Sequence, residues 1–437
     1  MKNLLLFSSL FLICAESSFA QGEAALPFLL ISPAAISNGM GETSVALYRD
    51  NPFAMLSNPA HLGMFSRSNY FSAGYDYADW LPQFGQSDLT VKAFGFNAGV
   101  NLGRQFGISP EMSVGLSYSR VRLNLGKFSV TSPDGPEVIA TFDALETADN
   151  YSMGFGLHEW VCISAGFTVK QINSTLAPFN PQTQELMGPT RVSTYDVGIL
   201  VQVPIIEILD RTREAPITFL AGYSPLLNLS VGLAKNNLSD KMVFYIDPDR
   251  SDPLPRTARV GVGVELGVSY TRDDLNWNPI LFSWSRESND LLVRRFPPPV
   301  DAGGVPIGDP PPPEYRGGLG DIKVFDDLIL GKSNPDVIVK TGWQLTLYDL
   351  FSIRGGRFLE SPDQGNRRFS TSGYTVRFGG FVRILRVLNV SLGTENLLGT
   401  IVNHIDLRYT HSKLDADEYL SPVNTTEFSS WNLLIFP

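Results

Sequence analysis

The sequence of 437 residues is poor in several features, and each shortage excludes a class of protein. Charged residues make up 18% of the chain, below the roughly 25% of ordinary soluble domains, whereas hydrophobic residues reach 43%. A disordered chain needs the opposite balance and is excluded. The net charge is −10 and basic residues do not cluster, so we expect no nucleic-acid partner. After residue 20, no stretch approaches the roughly 18 consecutive apolar residues of a membrane-spanning helix.

Cysteine is almost missing too, with Cys14 and Cys162 alone. The N-terminus has the form of a secretory signal, because a basic residue precedes the apolar stretch from Leu4 to Ile13 and Ser18-Phe19-Ala20 fits the small-x-small cleavage pattern. We expect residues 1–20 to be removed on export. Cys14 then leaves with the signal, and the single remaining cysteine excludes a small disulfide-stapled scaffold.

From about residue 69 onward, apolar and polar residues alternate with the period of two that is typical of half-buried strands. Residues 151–158, 161–170, 258–269 and 404–410 show it most clearly. A soluble sandwich would turn the apolar face toward a second sheet, whereas an outer-membrane barrel turns it toward lipid. The other face is rich in glycine and serine. Because glycine weakens a strand unless packed contents need the space, this face favours a filled barrel interior.

The alternating stretches predict fourteen strands, an even number as in bacterial single-chain barrels. They are predicted at 69–77, 89–102, 111–123, 149–158, 160–170, 191–203, 217–235, 255–272, 278–290, 336–349, 351–360, 371–385, 403–412 and 428–436. Connections alternate between long and mostly short, as outer loops and periplasmic turns do. Sixteen strands are the alternative, if Val387 to Glu395 adds a strand and Pro225 splits 217–235. The predicted fold class is therefore all-β, a closed antiparallel outer-membrane β-barrel over residues 69–437.

Two segments do not alternate. Residues 297–313 are rich in proline and glycine, which predicts a mobile external loop and leaves partner binding by it open. Residues 21–68 precede the barrel and contain a short apolar helix starting at Asn51-Pro52 and ending at Asn58-Pro59. This apolar segment needs a place to bury, and the lumen of the barrel is the nearest. We expect it to form a hatch there.

Charged residues on the polar faces of predicted strands form the candidate site. They are Arg259, Glu265, Lys340, Arg377, Arg383, Asp406 and Arg408. Since an Arg or Lys that faces lipid at mid-bilayer costs about 2–4 kcal/mol, these side chains should line the lumen. There they either pair with one another and with hatch backbone groups, or bind the polar end of a ligand or form a conduction path. Both interpretations stay open.

Motifs of catalysis and metal binding are missing from the sequence. It has no His-Glu-x-x-His, no cysteine pair, no Gly-x-Ser-x-Gly and no complete dinucleotide fingerprint. The acidic groups 273–274 and 415–418 lack the spacing of an EF-hand loop. We therefore expect no enzymatic activity, no metal and no cofactor.

Several short motifs point to a family. Gly39 to Ala46, followed by Asn51 to Leu62, resembles the N-terminal signature of FadL-like outer-membrane proteins, closest to the PorV/PorQ type. Trp80-Leu81-Pro82, Asn236-Asn237-Leu238-Ser239 and Leu254-Pro255-Arg256 are similar as well. The family usually ends on an aromatic residue, whereas Pro437 follows Phe436 here. The resemblance spans most of residues 32–436.

This resemblance implies a 14-stranded barrel in the outer membrane of a Gram-negative bacterium, inserted by the barrel-assembly machinery and surrounded by outer-membrane lipid. It also implies that the turn at Asn58, Pro59 and Ala60 folds into the lumen as part of the hatch. FadL-like members pass hydrophobic small molecules through a lateral opening, whereas PorV-type members hold exported cargo proteins in type IX secretion. From the residues alone, a soluble periplasmic binding module is a third possibility.

The two membrane functions predict different interiors. An apolar pocket between hatch and wall would favour passage of hydrophobic small molecules. A closed lumen with a broad external apolar patch would favour a protein partner.

Overall fold

The chain folds, in a computed structural model, around one closed sheet. The structure describes residues 24–47, 51–85, 88–132, 135–176, 179–180, 185–186, 190–213, 216–220, 222–239, 242–243, 252–272, 275–296, 298–301, 307–308, 311–331, 336–361, 366–387, 404–417 and 421–436. The signal expected at residues 1–20 lies outside these ranges and stays a prediction.

Fourteen antiparallel strands form the barrel, each paired with the next along the chain and the last with the first. They are β1 (Tyr70–Asp79), β2 (Thr90–Asn101), β3 (Glu111–Thr131), β4 (Val138–His158), β5 (Cys162–Ser174), β6 (Thr190–Pro204), β7 (Tyr223–Leu238), β8 (Thr257–Arg272), β9 (Leu275–Leu291), β10 (Ile338–Leu347), β11 (Phe351–Leu359), β12 (Arg368–Arg377), β13 (Ile405–Ala416) and β14 (Glu427–Ile435). The predicted closed barrel of fourteen strands is confirmed.

The alternative count of sixteen is wrong, because Pro225 lies within β7 opposite Val268 and does not split the strand. Pairing of β6 with β7 stops at Asn228, so Pro225 pairs with a neighbouring strand on one side only, where a proline is tolerated. The additional strand considered at Val387 to Glu395 lies, apart from its first residue, outside the described residues.

Short helices occupy the ends of the barrel and the segment before it. Before β1 lie the 3₁₀ turn Pro27–Leu30, α1 (Ala35–Asn38), the 3₁₀ turn Ala54–Leu56 and α2 (His61–Phe65). The turns between strands carry the 3₁₀ turn Pro82–Phe84, α3 (Leu102–Phe106), α4 (Ile205–Arg211), a π-helix (Val324–Leu330) and α5 (Phe378–Val387). Among the described residues, no helix has the length and hydropathy needed to cross a membrane.

The apolar face of the strands points outward, as expected. On β5, Phe167 is 45% exposed while its neighbour Thr168 is fully buried, and on β13 Leu407 is 38% exposed beside the buried Arg408. A sheet packed in a soluble sandwich would bury the large apolar side chains instead. The exposed apolar surface is that of a barrel whose wall meets lipid.

Two strands are much longer than predicted. β3 and β4 both run for 21 residues, so most of the outer connection expected at 124–148 is strand. Near their outer ends, Phe128 and Phe142 stack with ring centroids 5.9 Å apart. The polar residues between 124 and 148 hide the continuing strand from a search for apolar alternation.

A helix replaces the end of one predicted strand, which is a correction. The strand expected at 371–385 ends at Arg377, and residues 378–387 form α5. The backbone N–H of Gly379 donates to Asp406 at 3.1 Å, placing a carboxylate at the N-terminus of α5, where the helix dipole favours it. Arg383 therefore lies on a helix and not on an inward strand face, and its side chain is outside the described set.

We expect Leu266→Arg to destabilise the barrel by about 2–4 kcal/mol, because the side chain is 47% exposed on the apolar outer face of β8. Phe84→Arg is the matched control, since Phe84 is 61% exposed in the turn after β1, beyond the wall. Urea unfolding from lipid vesicles measures both. Equal stabilities of the two variants would contradict the lipid-facing assignment.

Candidate functional site in the lumen

Residues 24–47 and 51–69, called the N-terminal segment, pack against the inner faces of strands all around the barrel. Glycines mark the closest approaches, since a Cβ on any of them would collide with this segment. The contacting pairs include Gly74 with Pro52, Gly154 with Leu62, Gly166 with Pro59, Gly198 with Asn58, Gly232 with Val45, Gly342 with Met40 and Gly356 with Gly41. These glycines belong to seven strands, β1, β4, β5, β6, β7, β10 and β11. Glycine on the inward face is what lets segment and wall approach so closely.

The turn at Asn58, Pro59 and Ala60 is held by one side chain. The Asn58 amide donates to the carbonyl of Val45 at 2.9 Å and to that of Ile199 on β6 at 3.1 Å. Its Oδ1 accepts from the backbone N–H of Ala60 at 3.0 Å, which closes the turn on itself. Asn58 is fully buried, so both ends of the amide are satisfied without water.

Two buried carboxylates anchor the segment to the wall, and neither was among the predicted site residues. Glu287 on β9 accepts from the backbone N–H groups of Ser44 at 2.8 Å and Val45 at 3.0 Å. Asp76 on β1 accepts from the N–H of Ala35 at 3.0 Å. Charge-assisted bonds of this kind are worth more than neutral ones. In the sequence, Glu287 and Asp76 are recognisable only as acidic residues on the inward faces of strands.

Three of the predicted charges pair with one another. Asp406 on β13 contacts Arg408 at 2.7 Å and Arg377 on β12 at 2.9 Å, and Arg377 reaches Asp349 at 3.6 Å. Asp406 and Arg408 are almost fully buried. These residues lie at the end of the barrel where α5 begins, so they link neighbouring strands and the helix.

Two further predicted charges contact other groups. Lys340 on β10 forms an ion pair with Glu42 of the N-terminal segment at 3.2 Å. Glu265 on β8 accepts from the Asn228 amide on β7 at 3.2 Å. Arg259, by contrast, has a buried Nε with no hydrogen-bond partner among the described residues. Its side chain lines the pocket described below.

The polarity of the wall inverts partway along β3. In the half of β3 toward α3, Ser117 and Ser119 point inward and Leu116 points outward. In the half toward the long connections, Val121 points inward, and Arg120 and Arg122 point outward. The register carries this inversion across the neighbouring strands, since Val121 pairs with Ala148, Ala148 with Ile172 and Ile172 with Val192. On β3 to β6 the outer half of the lumen therefore has a row of inward apolar side chains, which the sequence analysis did not foresee.

A pocket lies in this outer half, between the N-terminal segment and the wall. The space free of atoms within its lining is about 540 Å³ and includes open solvent, whereas the space for the centres of water-sized spheres is about 50 Å³. The lining groups are mainly apolar: Phe28, Leu29, Leu30, Ile31, Phe53, Leu56, Val121 and Ala148, with Asn150, Lys170 and Arg259 among the polar ones. The Lys170 ammonium is paired with Asp196 and bonded to Asn237, both at 2.8 Å. The pocket therefore combines mainly apolar walls with the guanidinium of Arg259, whose Nε has no hydrogen-bond partner among the described residues.

The described residues form no cluster of metal ligands, and their one cysteine is buried. Within the described ranges, no three His, Cys, Asp or Glu side chains converge to hold a metal ion. Cys162 is a buried free thiol at the start of β5. The candidate site in the lumen is therefore the pocket, defined by its shape and by the polarity of its lining.

Comparisons with known proteins give similarity of structure only. No family model and no curated protein matches the sequence. The toluene transporter TbuX of Ralstonia pickettii is similar at 11% identity and a TM-score of 0.34, over 93% of this chain and 97% of that one. A Pseudomonas aeruginosa FadL homologue is similar at 9% identity and a TM-score of 0.40, over 92% of this chain and 98% of that one. The P. putida toluene transporter TodX is similar at 11% identity and a TM-score of 0.38, over 92% of this chain and 96% of that one. Values this low transfer no function.

We expect Gly232→Val to loosen the N-terminal segment, because the new side chain would collide with the backbone of Val45. Overpacking of this kind costs about 1–3 kcal/mol. Limited proteolysis of the folded barrel should cut the segment faster than in the unchanged protein. Gly135→Val is the control, since a Cβ there meets nothing within 4 Å. If both variants are cut alike, the segment is not held by this contact.

Proposed function

We propose that this protein is a FadL-like outer-membrane transport protein that binds and passes hydrophobic small molecules. The single observation that carries the proposal is the apolar pocket between the N-terminal segment and the barrel wall. The apolar outer belt supports a location in the membrane, and a closed barrel of this kind is typical of the bacterial outer membrane. That same belt argues against a soluble periplasmic module.

The lining of the pocket indicates the chemistry of the ligand. Burial of each methylene of a ligand among Phe28, Leu56 and Val121 stabilises the complex by about 0.8 kcal/mol. A hydrogen bond from the Arg259 guanidinium to an anion adds about 1.5–3 kcal/mol. An amphipathic molecule with an alkyl or aromatic body and an anionic end satisfies both parts.

We further propose that residues 21–68 act as a hatch that moves during passage. Residues 28–34 of the segment form one side of the pocket, so a ligand that enters the pocket contacts the segment directly. Below it, the bonds of Asn58 and Glu287 fix the rest of the segment across the lumen. Passage to the periplasmic end requires some of these contacts to open.

A PorV-like role, in which the outer loops hold exported cargo, stays the second candidate. The pocket between segment and wall is the feature that distinguishes the two functions, and it favours small molecules. Copurification of exported proteins with the intact membrane protein tests the second candidate. Stable capture of a cargo by the outer loops, together with no binding of hydrophobic ligands, would reverse the order.

Arg259→Gln should weaken binding of a long-chain alkyl carboxylate by about tenfold or more, because the neutral amide loses the charge-assisted bond. An alkyl alcohol of the same chain length serves as the matched ligand, and its affinity should stay unchanged. Calorimetric titration in detergent measures both. An equal loss for acid and alcohol would mean that Arg259 acts on the pocket's shape and not on the anion.

Tethering the hatch should block uptake. A Cβ on Gly39 would lie 3.2 Å from that of Ser412 on β13, near the separation of about 3.5–4.5 Å found in disulfides. We expect cells with Gly39→Cys and Ser412→Cys together to take up a labelled alkyl carboxylate only after reduction. Each single variant is the control. If the disulfide-bonded protein takes up the ligand as fast as the protein after reduction, this part of the segment need not move.

A further inference from the structure

One part of the outer wall is polar where lipid would be expected. The outward-facing pairs toward the outer ends of β8 and β9 are Val262 with Arg286, Val260 with Ser288 and Ala258 with Asp290. Their orientation follows from Glu287, which lies between them on β9 and points inward to the N-terminal segment. Three polar side chains in a row therefore stand on the outside of β9, directly after Phe282 and Trp284 on the same face.

A segment of the following connection covers this polar surface. Residues 316–331, called the strap, fold back onto it from the long connection between β9 and β10. Asp290 accepts from the N–H of Asp321 at 2.5 Å and contacts the Arg316 guanidinium at 3.4 Å. At the other end of the strap, Gly331 lies against the guanidinium of Arg286.

Apolar packing fixes the middle of the strap, where the π-helix Val324–Leu330 lies. Leu328 and Ile322 join Ala258 and Val260 in one buried cluster on the outside of β8. Leu328 is 2% exposed and Ser288 beneath the strap is fully buried. The strap is therefore part of the folded wall.

The other side of the strap is apolar and uncovered. Val324, Phe325, Ile329 and Leu330 are exposed by 46%, 64%, 58% and 51%. Four such side chains on one seven-residue helix form a patch, whereas single exposed apolar residues are normal.

The position of this patch relative to the lipid-facing belt indicates what covers it. Gly331 lies over Arg286, and the next outward pair along the register is Trp284 with Val264, followed by Phe282 with Leu266. Phe282 and Leu266 are exposed members of the lipid-facing belt. The patch thus continues the belt beyond the polar wall section without a gap in the register.

We propose that the strap docks into the outer leaflet of the membrane, with Phe325, Ile329 and Leu330 among the acyl chains. Its inner side covers Arg286, Ser288 and Asp290, with Arg316 paired to Asp290, and its outer side presents an apolar surface in their place. The wall of β8 and β9 becomes compatible with lipid, and the long connection that follows β9 is tied to the membrane surface. This inference depends on the barrel spanning a membrane and not on what it transports.

Spin labels test the docking in the full chain, reconstituted in phospholipid vesicles. Phe325→Cys and Ile329→Cys carry the nitroxide, with Leu266→Cys as the lipid-facing reference. Arg122→Cys is the water-facing reference, since Arg122 is exposed on the polar outward stretch of β3. The unchanged chain, whose Cys162 is buried, gives the background labelling. Collision with oxygen, which concentrates in lipid, is compared with collision with a water-soluble nickel chelate.

We expect the oxygen-to-nickel ratio at positions 325 and 329 to match that of Leu266→Cys and to exceed that of Arg122→Cys several-fold. Ratios equal to that of Arg122→Cys would overturn the proposal, because the patch would then face water. Spin–spin broadening at position 325 that disappears on dilution with unlabelled protein would also overturn it, since a second copy would then cover the patch. Heat-dependent gel mobility establishes that each variant is a folded barrel.

Discussion

Closure of the sheet is the constraint on which the rest of the structure depends. Inside a bilayer no water is present to satisfy an exposed strand edge, so every N–H and C=O of the wall must pair with a neighbouring strand. Here β14 pairs with β1 from Phe71 opposite Ile435 to Asp79 opposite Glu427. That seam joins the two ends of the barrel sequence, and it encloses an interior that must be filled or solvated.

The interior is filled by the chain itself. Because the N-terminal segment carries backbone N–H and C=O groups into buried positions, the wall has to supply partners for them. Glu287, Asp76 and the amide of Asn58 do so, and the inward glycines make room for the segment's backbone. Close packing and buried charge-assisted bonds together give the segment a defined position.

Polarity along the wall then divides the barrel into two zones. Where lipid surrounds the strands, the outer face is apolar and the inner face is small and polar. Beyond that level both faces change character on β3 to β5, so the outside suits water and the inside suits a hydrophobic ligand. On β9 the outward face also turns polar, at Arg286, Ser288 and Asp290, but a strap of the chain covers it. The pocket and the strap both lie where the surroundings of the barrel change from lipid to water.

The sequence by itself indicated fourteen strands, with sixteen as the alternative, and it indicated the lipid-facing side where the alternation is apolar, because a period of two is set locally by side chains such as Phe167 and Thr168. It also indicated the inward charges, of which Lys340, Glu265 and Asp406 have partners and Arg259 has an unpartnered Nε. Only the tertiary structure decided that residues 378–387 leave the barrel as a helix, that Glu287 holds the N-terminal segment, and that Val121, Ala148 and Phe28 share a pocket. Those contacts join residues tens to hundreds of positions apart, and closure of the barrel, not local periodicity, brings them together.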